Sequence, residues 1–465
     1  MKQPLLQARI IHGYNKLIIH PWTFPVLIVA IAILVHLPNL LGYPAWFYDE
    51  GAYLTSSLQW LQTSHLTYYG HPFAPLAILA AVFAAINPRD YLIPRILMVG
   101  FSVIDGLLLY RVTGLFFPND KRLAILTPLL YEATPLSARY LRLTVVDNFL
   151  ALFLLLSILF TLSNPKNPTL SGIAYGASLI SKQTAIFFLP GFLVLFFTQK
   201  KNPRYIISWL ILSSILPIIW ILYGTTQVGF SNLIDQQFGL TGLGGERAVS
   251  AVSLIVQRIS TRDPFIFFGL AGIIWAAYKR RWALLAFPVA YYIAFIVLFL
   301  KISTVYLIPT LPFLSILSSL LLFEVFDRVP KIGNPKLLKT TLFAILIVAL
   351  IASSLFLVTT QSPSDSQQAA LSYVGSLGSP KVIASSTYIW LLKQNYPNVA
   401  VYDRYTVPWS ALNGSAVYLI VDLPGDLTTI NSIPQYKIAF DTASPIFQRY
   451  DYYNYLVEVR STTIH

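Results

Sequence analysis

The chain has 465 residues, of which 56% are hydrophobic and only 11% charged, with a formal net charge of +13. So few charges cannot cover a water-soluble globule of this length, which excludes an ordinary soluble enzyme and makes lipid the main solvent. The basic residues are dispersed between apolar runs, which excludes a nucleic-acid surface; the lack of cysteine excludes disulfides and thiol chemistry and leaves the compartment open.

In chain order, the apolar runs predict about eleven transmembrane helices near residues 24–42, 93–117, 122–138, 147–163, 169–182, 184–199, 205–224, 264–278, 282–300, 303–323 and 340–359. Lys2, Arg9 and Lys16 precede the first run and no small-residue cleavage site follows it, so it reads as an uncleaved anchor. With a cytoplasmic N-terminus, the cytoplasmic loops receive Lys121/Arg122, Lys166, Lys200/Lys201/Arg204, Lys279/Arg280/Arg281 and Arg328/Lys331/Lys336/Lys339. That alternation fits the positive-inside rule. The segment from Pro72 to Ile86 is apolar but short and contains Pro75. Counting it as a span would invert every later loop, so it reads as an interfacial or re-entrant helix within a large outer loop, residues 43–92. The two short runs between 169 and 199 predict a tight hairpin with Lys182 at its outward tip.

A second outer loop, 225–263, carries Gly239-Leu240-Thr241-Gly242-Leu243-Gly244-Gly245-Glu246-Arg247. These glycines lack the strand-turn-helix setting of a nucleotide site, and a flexible lid and an ordinary loop are equally compatible with them. From Gln361 the composition turns polar, with β-rich runs at Lys381–Ser385, Val399–Tyr402, Ala416–Val421, Tyr436–Phe440 and Leu456–Val459. The expected architecture is therefore an all-α polytopic membrane domain, 1–360, followed after Ser362-Pro363-Ser364-Asp365 by a small α/β soluble domain, 361–465, outside the membrane. No internal repeat stands out to suggest an inverted-repeat transporter.

Chemistry gathers in the outward loops. Tyr48-Asp49-Glu50 lies in an aromatic stretch just beyond the first span. A carboxylate shielded by aromatics there has the setting to take a proton from a hydroxyl; alternatively, Asp49 or Glu50 caps a helix that begins at Gly51. Arg139, Arg142 and Asp147 follow the third span, and Lys182 and His71 fall on the same side. Arginine forks match phosphate oxygens, and cations can offset charge on a leaving phosphate while a carboxylate activates the nucleophile. The blander alternatives are that Arg139 and Arg142 anchor a helix end among headgroups, Lys182 snorkels, and His71 is a loop residue. Asp105, in mid-span, reads as a structural partner of Arg111 or of another helix.

In their order and common side these residues resemble the GT-C glycosyltransferases, in the branch of the protein O-mannosyltransferases and the lipid A aminoarabinose transferases. Tyr48-Asp49-Glu50 with Tyr53 is similar to the family's Asp-Glu motif. His71-Pro72 resembles its Lys/His-Pro-Pro element, with Phe73 in place of the second proline, and Arg95 its Arg-Leu-Pro helix start. Arg142 and Asp147 resemble the second-loop Arg and Asp, and Gly176 through Lys182 the Gly-rich run ending in Thr-Lys. The resemblance implies a GT-C fold and transfer of a sugar from a polyprenyl- or dolichyl-phosphate donor to an unknown glycan, lipid or protein acceptor, with inversion. Asp49 would be the base, with Glu50, Arg142, Asp147 and Lys182 positioning acceptor or donor phosphate and with Arg139, His71 and Tyr53 in the same site. No cofactor is required by this reading; a divalent metal on Asp49, Glu50 and Asp147 is conceivable. By analogy the location is a prokaryotic cell membrane. Two rivals are a flippase or transporter of lipid-linked sugars, which would need polar groups through the midplane, and a non-catalytic scaffold.

Overall fold

Long apolar stretches uninterrupted by charge take the one conformation that satisfies every backbone group inside lipid, and the molecule is accordingly a bundle of helices. The computed structural model describes residues 22–66, 68–239, 266–298, 304–328, 335–423, 426–451 and 455–464. Its helical part comprises α1 (Thr23–His36), α2 (Tyr48–Thr63), α3 (Ala74–Ile86), α4 (Leu92–Phe116), α5 (Lys121–Ala133), α6 (Pro135–Tyr140), α7 (Val146–Ser163), α8 (Thr169–Leu179), α9 (Leu189–Thr198), α10 (Pro203–Val228), α11 (Phe230–Gly239), α12 (Ile266–Tyr278), α13 (Trp282–Leu298), α14 (Leu311–Asp327) and α15 (Pro335–Thr360). Short 3-10 turns at Gln183–Phe188 and Thr304–Thr310 lead into α9 and α14.

Against the eleven expected spans, five helices among the described residues are long and apolar enough to cross a bilayer: Leu92–Phe116, Val146–Ser163, Pro203–Val228, Val305–Asp327 and the one starting at Leu337. The other apolar helices are shorter over their described residues. Proline explains one of the breaks: the run expected at 122–138 stops at Ala133, because the residue before Pro135 is pushed out of helical geometry and Pro135 opens α6. The segment from Pro72 forms α3, a 13-residue apolar helix. The run 169–199 folds as α8, the 3-10 turn and α9, with Lys182 at the bend.

Burial separates centre from periphery. In the most apolar stretch of the Val305–Asp327 helix 89% of residues are buried, against 22% in α10. Ile211 and Leu222 of α10 and Val348 and Phe356 of α15 are exposed, as expected of lipid-facing helices. The chain is thus a multi-pass membrane protein. Residues 225–239, expected as loop, instead end α10 and form α11; the rest of that loop, with Gly242 to Arg247, lies outside the described residues, as do Lys2, Arg9, Lys16 and Lys331.

After α15 come α16 (Pro363–Ser376), β1 (Lys381–Ala384), α17 (Ser386–Asn395), β2 (Ala400–Asp403), α18 (Trp409–Leu412), β3 (Ala416–Leu423), α19 (Leu427–Ser432), α20 (Pro434–Thr442), β4 (Ser444–Tyr450) and β5 (Leu456–Thr463). The strands form one mixed sheet in the order β2-β1-β3-β5-β4. β1 pairs in parallel with β2 and β3, while β5 pairs antiparallel with β3 and β4. Four of the five predicted strands are present. The fifth, Tyr436–Phe440, is helical: Pro434 opens α20, and Tyr436, Ala439 and Phe440 recur at three- and four-residue spacing against the sheet.

The sheet domain is clamped onto residues 43–92. A Cβ on Gly51 would lie 2.3 Å from the Ser386 carbonyl oxygen and 2.4 Å from Thr387 Cα, so only glycine lets α2 pack this closely on the start of α17. Tyr91 donates its hydroxyl to the Thr387 carbonyl at 2.8 Å. The Gln367 side chain, on α16, accepts from Trp46 N at 2.6 Å and donates to the Trp46 carbonyl at 3.1 Å, a two-bond clasp on the backbone three residues before Asp49. Gln367 is itself held by Asp422 at 3.0 Å, whose carboxylate also accepts from Tyr388 and from Tyr455 at 3.0 Å.

Candidate functional site

The helix after the aromatic loop begins at Tyr48, three residues before the predicted start, which places both acids in its first turn. There they part company. Glu50 is fully buried, and its carboxylate is saturated: Oε1 accepts from Thr144 N at 2.8 Å and Arg95 Nε at 3.1 Å, and Oε2 from Arg95 NH2 at 2.7 Å and Phe47 N at 3.2 Å. The last of these caps its own helix. Glu50, expected at the site beside Asp49, therefore ties α2, α4 and the loop before α7 together. The capping alternative is realised in Glu50.

Asp49 differs in every respect. None of the described residues gives it a hydrogen bond or ion pair. Burial pushes its carboxyl up from 3.8 to about 6, helped by the charges of Asp147 and Glu50 and opposed by Lys182. It is a carboxyl poised near neutrality beside a buried cation.

That cation is bound. Lys182 Nζ reaches both oxygens of Asp147 at 2.8 Å, and the side chains are 4% and 3% exposed, so this is a buried pair linking the hairpin bend to the first turn of α7. The ammonium also lies 4.5 Å from the centre of the Tyr306 ring. An ammonium has three N–H donors and Asp147 engages two, so among the described residues one is left for a ligand.

Aromatic groups line the remainder. Tyr53, one turn along α2 from Asp49, meets Tyr68 edge-on at 5.9 Å and the His71 ring at 5.8 Å, and Tyr68 meets His71 at 6.1 Å. Burial and the neighbouring Lys182 lower His71 to about 3, so its ring is neutral at physiological pH. Gln183 fixes its tautomer: Gln183 Nε2 donates to the Gly70 and Gln237 carbonyls, which turns Oε1 toward His71 Nδ1 at 3.0 Å. Nδ1 thus carries the proton and Nε2 is left as an acceptor.

The two arginines lie elsewhere than expected. Arg142 was expected on phosphate, but its NH1 donates to the Pro38 and Tyr43 carbonyls at 3.0 and 3.1 Å and its NH2 to Val35 at 3.0 Å. The reason is local: the end of α1 leaves carbonyls without intrahelical partners, and a buried fork supplies the donors. Arg95 does the same for Leu40 and Pro44 at 2.9 and 3.1 Å while gripping Glu50. Together they mould residues 35–45 into the platform that carries Asp49. Arg139 lies 5.5 Å from the Tyr140 ring and is close to Tyr43 and Tyr455. Of the residues expected at the site, the structure brings together Asp49, Tyr53, His71, Asp147 and Lys182, and sets Glu50, Arg139 and Arg142 around them as supports. Tyr68 and Tyr306 are additions that sequence reading missed; the only signal was the aromatic pair Tyr68-Tyr69 just before His71.

Two further points bear on function. Asp147 is committed to Lys182 and Glu50 to Arg95, so the three acids do not form a free ligand set; among the described residues no three His, Cys, Asp or Glu side chains converge for a metal. Asp105 does not meet Arg111. Its Oδ2 accepts from Tyr131 of α5 at 3.4 Å, beside Glu132, which accepts from Ser102 at 2.6 Å and pairs with His36 at 2.9 Å. This sealed cluster between α1, α4 and α5 is the interhelical alternative for Asp105.

With the geometry in place, the likeness to known proteins can be stated. Residues 70–223 match the family described as dolichyl-phosphate-mannose-protein mannosyltransferase. No curated protein matches the chain by sequence. Among solved structures, ArnT from Cupriavidus metallidurans bound to undecaprenyl phosphate superposes with a TM-score of 0.59 at 14% identity, covering 94% of this chain and 98% of that one. Its apo state gives 0.59 at 13% identity, over 97% and 98% of the two chains. The Archaeoglobus fulgidus oligosaccharyltransferase in the apo form gives 0.52 at 13% identity, over 88% of this chain and 71% of that one. At such identities the structural likeness is one of fold.

Proposed function

Since the chain has the GT-C fold, of the aminoarabinose transferase and protein O-mannosyltransferase type, we propose that it is a glycosyltransferase moving a sugar from a polyprenyl-phosphate-linked donor to an acceptor hydroxyl at the outer face of the cell membrane. The N-terminus is then cytoplasmic and the sheet domain, residues 361–465, extracytoplasmic. The observation that carries this reading is the contrast between the two adjacent acids: Glu50 is fully bonded, while Asp49 has no hydrogen-bond or ion-pair partner among the described residues, is raised to about 6 and lies next to the Lys182–Asp147 pair.

In the reaction, the acceptor O–H gives its proton to the Asp49 carboxylate as the oxygen attacks the anomeric carbon. The bond from that carbon to the phosphate oxygen breaks on the opposite face, and the electron pair leaves with the polyprenyl phosphate. Attack opposite the leaving group inverts the anomeric centre. The free donor of Lys182 faces the charge that grows on the departing phosphate. Asp147 holds the ammonium in place, and His71 Nε2, Tyr53 and Tyr68 contact sugar or acceptor hydroxyls. Arg95, Glu50 and Arg142 are positioning residues. A donor related to the undecaprenyl phosphate held by the ArnT structure fits this arrangement in chemical class.

The test is transfer by the purified protein from a panel of undecaprenyl- and dolichyl-phosphate sugars to a membrane extract, with the anomeric configuration of the product read by NMR. Inverted product that disappears in Asp49→Asn is expected. Retained configuration, or full transfer by Asp49→Asn, would overturn the assignment.

A further inference from the structure

The helices that frame the candidate site also build a second concavity at their far ends. α7 carries Asp147 in its first turn and runs 18 residues to Ser163, which is about 27 Å at 1.5 Å per residue, close to the thickness of a hydrocarbon core. Beyond that end lies a pocket of about 670 Å³, lined by Leu162, Lys166, Lys200, Lys201, Arg204 and Tyr205 among others, with no carboxylate among the described residues of its wall.

Three features give it a ligand preference. Four cations face one cavity without an acid to neutralise them, so the potential inside is strongly positive. Lys201 is fixed as its floor: its ammonium donates to the Pro165 carbonyl at 3.0 Å and the Thr161 carbonyl at 3.4 Å, and lies 4.7 Å from the Tyr205 ring centre. The first turns of α8 and α10 both abut the pocket through Pro168 and Asn202, adding the positive ends of two helix dipoles. Exposed apolar surface follows along α10 next to the pocket: Ile207 and Ile211, beyond the lining residue Arg204, are 57% and 62% exposed.

We propose that this pocket binds the phosphate headgroup of an anionic glycerophospholipid in the leaflet opposite the candidate active site. The cations and helix ends take the phosphate oxygens, Leu162 and Tyr205 take the glycerol region, and the acyl chains run down the exposed face of α10. Its depth places it at a headgroup layer, where each nearby Lys or Arg adds to the attraction for an anionic lipid. Had these residues only set topology, their spacing along the chain would suffice and no shared cavity would be needed.

The experiment uses the full-length protein, delipidated in neutral detergent, with native mass spectrometry and thermal unfolding as readouts. The probes are phosphatidylglycerol, phosphatidylcholine and inorganic phosphate, and the variants are Lys166→Gln/Lys200→Gln/Arg204→Gln and the charge-preserving Lys166→Arg/Lys200→Arg. Phosphatidylglycerol is expected to be retained and to raise the melting temperature of the native protein and of the arginine variant, and to bind the glutamine variant roughly a hundredfold more weakly. Phosphatidylcholine and inorganic phosphate are expected to do neither. Equal retention of phosphatidylglycerol by the glutamine variant, or equal binding of phosphatidylcholine, would overturn the proposal. So would equal stabilisation by inorganic phosphate, which would mark a soluble-anion site. The exchanged side chains are exposed and remote from Asp49, so a folding defect in the glutamine variant alone would show as loss of the unliganded melting transition.

Discussion

Replacing Asp49 by asparagine separates function from stability in a way that few substitutions can. No described residue hydrogen-bonds to this carboxyl, so the isosteric amide forfeits no hydrogen bond or ion pair to them, whereas the acid has its carboxyl moved from 3.8 to about 6, chiefly by burial. The sign follows from linkage. As pH rises the unfolded chain ionises first, near 4, and the native carboxyl only near 6, so native stability falls across that interval and stays lower above it, by an upper bound of about 3 kcal/mol. Asparagine has nothing to ionise. The variant is therefore expected to be at least as stable as the parent at pH 7.5, with the difference closing below about pH 4, while transfer drops about 10²- to 10⁴-fold with loss of the proposed general base. Thermal unfolding in detergent at several pH values and transfer from a polyprenyl-phosphate sugar measure the two effects on one preparation. Glu50→Gln provides the opposite case: it strips a buried arginine of its carboxylate and is expected to cost about 3–5 kcal/mol. A destabilised Asp49→Asn at neutral pH would show that the carboxylate is held by contacts in its charged form, and the reasoning from its isolation would fail.

Other outcomes follow from the same geometry. The transfer rate of the parent should decline about tenfold per pH unit below pH 6 as Asp49 takes a proton, read from a rate profile between pH 4.5 and 8. Lys182→Met leaves Asp147 charged and alone in a buried setting, and should both destabilise the protein by about 3–5 kcal/mol and weaken donor-lipid binding; Lys182→Met with Asp147→Asn should regain stability without regaining donor affinity. Gly51→Ala drives a methyl into the backbone of Ser386 and Thr387, and should expose the sheet domain to limited proteolysis while the membrane helices stay folded. His71 should show a neutral ring with Nδ1 protonated by ¹⁵N NMR from pH 5 to 8. Its lowered pKa means that the unfolded chain captures the proton first, so stability is lost as pH falls below 6.5.

What the sequence made legible was set by periodicity and local order. Apolar runs marked the helices, and Tyr48-Asp49-Glu50, His71 and Ser181-Lys182 could be found because each stands out against its own neighbours. The roles of adjacent acids were less accessible. Whether Asp49 or Glu50 is the free one depends on Arg95, 45 positions away, and on Thr144 N, 94 positions away, and no local pattern encodes those distances. Arg142 shows the complementary limit: its charge was readable, but the direction of its fork was decided by the carbonyls of Val35 at the end of α1 and of Pro38 and Tyr43 in the loop after it. Span length was misjudged where Thr134-Pro135 divides an apolar run, and Tyr436–Phe440 was read as a strand because five residues are too few to separate the two periods.

The Gln367 clasp has a consequence for the order of events during synthesis. The peptide group of Trp46, which sets the entry of the chain into the helix bearing Asp49, is bonded by a side chain 321 positions later. At about 5–20 residues per second, the ribosome leaves an interval of tens of seconds in which every transmembrane helix up to α10 can insert while the loop ahead of Asp49 still lacks its partner. If Asp49 is the base as proposed, a nascent chain is expected to stay inactive until its final domain has been released and has folded, and products truncated before Gln367 would carry Asp49 without the bonds that fix the loop ahead of it.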